Sequence, residues 1–266
     1  MPPISPSSPS ASTSVCSKPE RPLPGGLCAI HQPNLFPRLA TLAKLFAADY
    51  WIVLDNVQLT RRDYQHRTRL AALHDPQQRQ WLTIPTHLPH GRQTAIREAV
   101  IADPDRSRRR VARMLAQYYS SSPHWPALRR ELDTVLERFV ASGKTADVAE
   151  ASTRVLLDLL GWNGQILRGS DLPSRQGRSQ RLADLAAVTG AGSYLCGSGG
   201  LTYLKTEPFD AVGVSVIPFR SPASGVWVYA REHSALTMLM QGGFGRAAHE
   251  LRTVAARHRR HPPGRF

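Results

Sequence analysis

The chain has 266 residues, with 34 Lys and Arg against 20 Asp and Glu and a formal net charge of +14 at pH 7. That length can bury a substantial core as one α/β domain, and the charge points either to anionic partners (phosphate, nucleic acid, an anionic membrane) or to a solvated basic surface. Cys16, Cys28 and Cys196 are too far apart for a disulfide framework or a Cys-based zinc site, and no run approaches the roughly 18 consecutive apolar residues of a membrane span, so a reducing cytoplasm is the expected compartment.

Residues 1–26 combine proline, serine and small side chains, with no apolar core of a signal peptide, and predict a disordered tail. Residues 27–58 read as strand, helix and strand. Two apolar runs, at 27–30 and 51–54, flank Phe36, Leu39, Leu42, Ala43 and Phe46 on one helical face. Such a unit places its strands parallel with a right-handed crossover, and ligands of open parallel sheets bind beyond the strands' C-terminal ends. His31, Gln32 and Asn34 leave the first strand there, and Asp55, Asn56 and Gln58 leave the second.

Residues 60–70, a turn at His74-Asp75-Pro76 and a strand over 80–84 predict a hairpin on the sheet. Helical periodicity then covers 103–119, 122–140 and 147–160, a three-helix insertion or cap over about 103–161. Alternation resumes with a strand at 165–167, a helix at 178–188, a strand at 193–196, a small-residue loop at 197–200 and an apolar strand at 212–219. A short helix over 233–240 follows, and residues 244–266 read as a basic C-terminal tail. The fold class is α/β, a mostly parallel sheet with flanking helices and the helical insertion, in a domain spanning 27–243.

His31 is the candidate general base, since imidazole titrates near neutral pH and sits here at a strand end, with Asp55 expected beside it on the neighbouring strand. Gln32, Asn34 and Gln58 can hold polar substrate atoms or an oxyanion, or can cap loops. Arg61, Arg67 and Arg69, with Arg62, form a basic patch suited to carboxylate or phosphate, or a charge-protected strand edge. Ser198, Gly199 and Gly200, after Gly197, would let backbone N–H groups approach an anion, or would make a tight turn; they complete neither a P-loop nor a dinucleotide fingerprint. Tyr203 supplies a hydroxyl or a packed ring, and Cys196 reads as an inert buried thiol sooner than a nucleophile. No metal signature is evident, because His87 and His90 lack a third ligand.

Several uncommon words occur in order: HQPNLFP, LDNVQ and RRDYQHRTRL, then QWLTIP at 80–85, SDL at 170–172, YLCGSGGLTYL at 194–204 and, more weakly, SALTMLMQGG at 234–243. Together they resemble the WbqC-like protein family, found with bacterial O-antigen, polysaccharide and natural-product biosynthesis genes. The resemblance implies an amide-forming acyl or aminoacyl transferase acting on a small amino-bearing metabolite or nucleotide sugar. Its partners would be that acceptor and an activated acyl donor, with an acyl carrier protein or aminoacyl-tRNA as candidate carriers; no cofactor is assigned. The alternative is a noncatalytic binding or scaffold protein for an acyl carrier or RNA. The arrangement is also similar, by fold analogy alone, to nucleotide-binding α/β folds that activate carboxylates as adenylates. This chain departs from the family pattern at 221–229, where a Tyr-Pro-Gln segment is usual, at Tyr64-Gln65-His66-Arg67, and at Asn56, where an acid is common.

Overall fold

A computed structural model describes residues 26–259, so all of the expected N-terminal tail but Gly26, and the last seven residues, lie outside the described residues. Strand β1 (Leu27–His31), helix α1 (Leu39–Ala47) and strand β2 (Tyr50–Val53) form the expected unit, with β1 and β2 parallel in the register Cys28 to Tyr50 through His31 to Val53. A hairpin follows, β3 (Arg67–Ala71) against β4 (Arg79–Thr83), and then β5 (Thr86–His87), which pairs with β6 (Val100–Ile101). The hairpin does not join the main sheet as expected. It is a separate two-stranded sheet, turned toward the loop after β1: Thr68 Oγ1 donates to the Phe36 carbonyl at 2.9 Å, and the Arg69 carbonyl accepts from Ser234 N at 2.8 Å.

The helical layer is α2 (Pro104–Tyr119), α3 (Trp125–Ala141) and α4 (Thr145–Leu159). Asp103 caps α2 through the Arg106 N–H at 2.9 Å, and Pro104 occupies the first turn, where its missing N–H is harmless. Apolar stripes such as Leu128, Leu132, Val135, Leu136 and Phe139 turn inward, as their helical spacing requires. The chain then completes the sheet with β7 (Gln165–Arg168), α5 (Arg178–Val188), β8 (Ser193–Cys196), two single-turn helices α6 (Ser198–Leu201) and α7 (Glu207–Asp210), and β9 (Ser215–Pro218).

The five parallel strands lie in the order β7-β2-β1-β8-β9. Side chains of β1 alternate between two cores, as a period of two demands. Ala29 joins Trp51, Leu42 and Phe46 on one face, while Cys28 and Ile30 join Ile52, Tyr194, Leu185 and Phe209 on the other. The last helix, α8 (Ala235–Arg259), corrects the sequence reading, which ends a helix at 240 and begins a tail at 244. Ala247, Ala248, Leu251, Val254 and Ala255 continue a buried stripe past a break at Gly243 (φ 80°, ψ 162°), and Arg259 pairs with Asp49 at 2.5 Å. Among the described residues, no helix is long and apolar enough to cross a membrane.

Candidate functional site

The chain builds the sheet outward from β1 through β2 to β7, then returns to lay β8 on the other side of β1. Strand order therefore reverses between β1 and β8, and a crevice opens beyond the C-terminal ends of that pair, the usual ligand position in doubly wound sheets. A cavity of about 380 Å³ occupies this place, lined by His31, Asn34, Lys44, Gly197, Gly199 and Arg231 among others.

Its wall is the loop after β1, which is held rigidly. Phe36 has φ 39°, a left-handed conformation unusual for a bulky side chain, and such a residue persists only where its surroundings over-determine it. Here Phe36 N donates to Ser152 Oγ at 2.8 Å, and the Phe36 carbonyl accepts from Thr68 Oγ1 and Ser234 Oγ, both at 2.9 Å. Thr153 Oγ1 donates to the Asn34 carbonyl at 2.9 Å. Helix α4, the hairpin and the approach to α8 thus all grip the segment between His31 and α1.

At the cavity floor, Lys44 is 4% exposed, and no carboxylate lies within ion-pair distance of it among the described residues. Its Nζ donates to the Ile30 carbonyl at 3.1 Å and lies 3.3 Å from His31 Nδ1. Burial brings the Lys44 pKa down to about 8, against the opposing influence of the Cys196 and Cys28 thiols. Burial likewise pushes His31 well below the ordinary imidazole value, with Lys44 and Arg38 adding to the effect and the Asn34 amide opposing it. His31 is therefore neutral at neutral pH. A protonated Lys44 can only donate, so Nδ1 accepts and the ring's single proton resides on Nε2. Nε2 is buried and has no hydrogen-bond partner among the described residues.

The predicted residues divide into two groups. His31, Gln32, Asn34, Ser198, Gly199, Gly200 and Tyr203 come together around the cavity. The run read as a loop at 197–200 is instead mostly one helical turn, in which a Cβ on Gly200 would come within 2.7 Å of Cys196 Sγ, while one on Gly199 would meet nothing within 4 Å. Gln32 accepts from the buried Gln65 amide, and Tyr203 is half exposed, with the Arg178 guanidinium over its ring at 5.5 Å.

The second group lies elsewhere. Asp55 does not pair with His31: its carboxylate accepts from Ser170 N at 2.9 Å and Ser170 Oγ at 2.8 Å, and so fastens the turn after β7. Asp55 is two residues past the end of β2, whereas His31 still lies within the sheet opposite Val53. Gln58 is exposed and donates to the Arg92 carbonyl, away from the cavity lining. Arg61 is exposed, and Arg67 and Arg69 flank the Trp81 ring at 4.4 and 4.7 Å, with Arg69 also 3.4 Å from Glu232. The cationic lining is supplied by Arg38, Lys44 and Arg231, which the sequence reading passes over. Lys44 carries a signal, being the single charged residue of the otherwise apolar helix LATLAKLFA. Burial raises the Cys196 thiol above its ordinary value, which leaves it protonated at neutral pH and does not favour a nucleophilic role.

A model of the WbqC-like protein family matches residues 32–229. The chain is also 25% identical over 194 residues to the uncharacterized protein Rv1507c of Mycobacterium tuberculosis, an alignment covering 72% of this chain and 80% of the relative. No solved structure matches significantly.

Proposed function

This chain belongs to the WbqC-like protein family, and from that membership and the geometry of its cavity we propose that it is an amide-forming acyl or aminoacyl transferase. Its acceptor is a small amino-bearing metabolite or nucleotide sugar in glycoconjugate or natural-product assembly. The observation that carries the reading is the neutral His31, fixed through Nδ1 by Lys44, its ring lining a strand-end cavity large enough for a small acceptor.

This geometry gives His31 a role different from the base expected of it. At neutral pH the Nε2–H donates. As the acceptor amine attacks the acyl carbonyl, a C–N bond forms and negative charge moves onto the carbonyl oxygen, where a preorganised donor in a water-poor site is most effective. The bond to the leaving group then breaks, and the leaving group departs with the amine's proton. Asn34, beside His31 and 3% exposed, is placed to hold a polar atom of the acceptor.

The test is amide formation read by mass spectrometry, with acyl thioesters, acyl phosphates and aminoacyl-tRNA offered alongside a panel of small amines. His31→Ala should lower turnover about 10²–10³-fold, the usual loss for one oxyanion donor, with the fold retained by circular dichroism. Equal turnover by His31→Ala would contradict the assignment.

A further inference from the structure

The floor of the cavity holds more positive charge than a neutral acyl group requires. Among the described lining residues, Arg38, Lys44 and Arg231 are cationic, and Asp63 is the one carboxylate. Asp63 is itself engaged, accepting from Tyr64 N at 2.8 Å through Oδ1. Arg38 lies over the Tyr64 ring at 3.9 Å and donates through Nη1 to the Arg231 carbonyl at 3.0 Å, yet its Nε is buried without a hydrogen-bond partner. His31 Nε2 is in the same condition. Two residues with an unpaired buried nitrogen therefore line the same cavity as a buried ammonium without a counter-ion. Buried donors left unpaired are costly, and their recurrence in one place marks the position of a missing acceptor.

We propose that this cationic lining is a phosphate site, formed by Lys44 and Arg38, which holds the phosphate leaving group of the activated acyl donor while His31 Nε2 faces the acyl oxygen. The inference rests on the transferase reading and specifies its donor: an acyl phosphate or an acyl adenylate. The location agrees, since the reversal of strand order between β1 and β8 is where phosphate-bearing ligands bind in doubly wound sheets. Gly199 leaves open space on the same rim for the remainder of the ligand. In the transfer step, the amine nitrogen bonds to the acyl carbon and the C–O bond to phosphorus breaks. The electron pair leaves on the phosphate oxygen, which takes the amine's proton, and the cations stabilise the phosphate as it departs. Neither oxidant nor metal is needed for the balance.

Titration calorimetry of the full chain with inorganic phosphate, pyrophosphate and AMP tests this separately from turnover. The expected result is saturable binding, weakened about tenfold or more in Lys44→Met and in Arg38→Met, since a hydrogen bond between charged partners is typically worth that much. Arg109→Ser, on the exposed face of α2, should bind as the wild type does and so controls for general charge attraction. AMP binding more tightly than phosphate identifies an adenylate donor; equal affinity identifies a simple acyl phosphate. The absence of saturable binding at millimolar ligand, or equal weakening in Arg109→Ser, would overturn the site. If Lys44→Met fails to fold by circular dichroism, Arg38→Met decides alone. Loss of amide formation with anion binding intact would sink the transferase reading and leave the phosphate site standing.

Discussion

Lys44 is the residue on which the site's electrostatics turn, and burial gives it a measurable signature. Its pKa falls from 10.5 to about 8 on folding, so between those values the unfolded chain binds more protons than the folded one, and the fold gains stability as pH rises through the window. The gain is about 3 kcal/mol, from the size of the shift. Lys44→Met lacks it. Urea denaturation at pH 8 and at pH 10.5 should therefore show the stability difference moving toward the wild type by about that amount at the higher pH. A difference independent of pH would mean that the ammonium is solvated. At this scale the sequence was only partly legible. His31 and Asn34 were identifiable because a polar residue following an apolar strand must lie at its end, but a buried lysine on an apolar helix face reads as an exposed charge until the neighbouring strand is placed against it. Asp55 failed the other way: a carboxylate at a strand exit can face either side, and the Ser170 N–H and hydroxyl decide which.

Among the elements, strands and helices with clear periodicity were legible, several of them to the residue. Arg178–Val188 and Ser193–Cys196 are examples: the buried apolar residues of the helix face one core, and those of the strand alternate between the two. The departures come from tertiary packing. The hairpin β3–β4 turns away from the sheet to grip Phe36, a contact across 32 residues that no local pattern encodes. Helix α8 continues past Gly243 because its far half has a buried surface to cover. Gly243 is indispensable to that join. At φ 80° and ψ 162° only glycine is unstrained, and a Cβ would stand 2.6 Å from His124 Cε1. Gly243→Ala should cost about 2–4 kcal/mol, from backbone strain and overpacking together, read as a lowered urea midpoint at unchanged slope. An unchanged midpoint would show that the two halves of α8 can separate without penalty.

At the scale of the whole molecule, the parallel α/β class follows from the spacing of apolar runs, but strand order does not. Nothing local says that β8 lies beside β1, and it is this adjacency that creates the crevice. The net charge of +14 likewise has two components that composition merges. Arg106, Arg108, Arg109, Arg110 and Arg113 are spread over the exposed face of α2, while Arg38, Lys44 and Arg231 converge on the cavity. The convergent set lines the cavity with positive charge beside a neutral imidazole, and that arrangement supports both the transferase reading and its phosphate-bearing donor. Its most direct test is ¹⁵N NMR of histidine-labelled protein, with the His31 resonances assigned by their loss in His31→Ala, followed across neutral pH and then with acetyl phosphate added. The account expects a neutral ring, protonated at Nε2 and not titrating near 6.5, whose Nε2 signal shifts on addition of the ligand. A His31 that titrates as a free imidazole and ignores acetyl phosphate would contradict it.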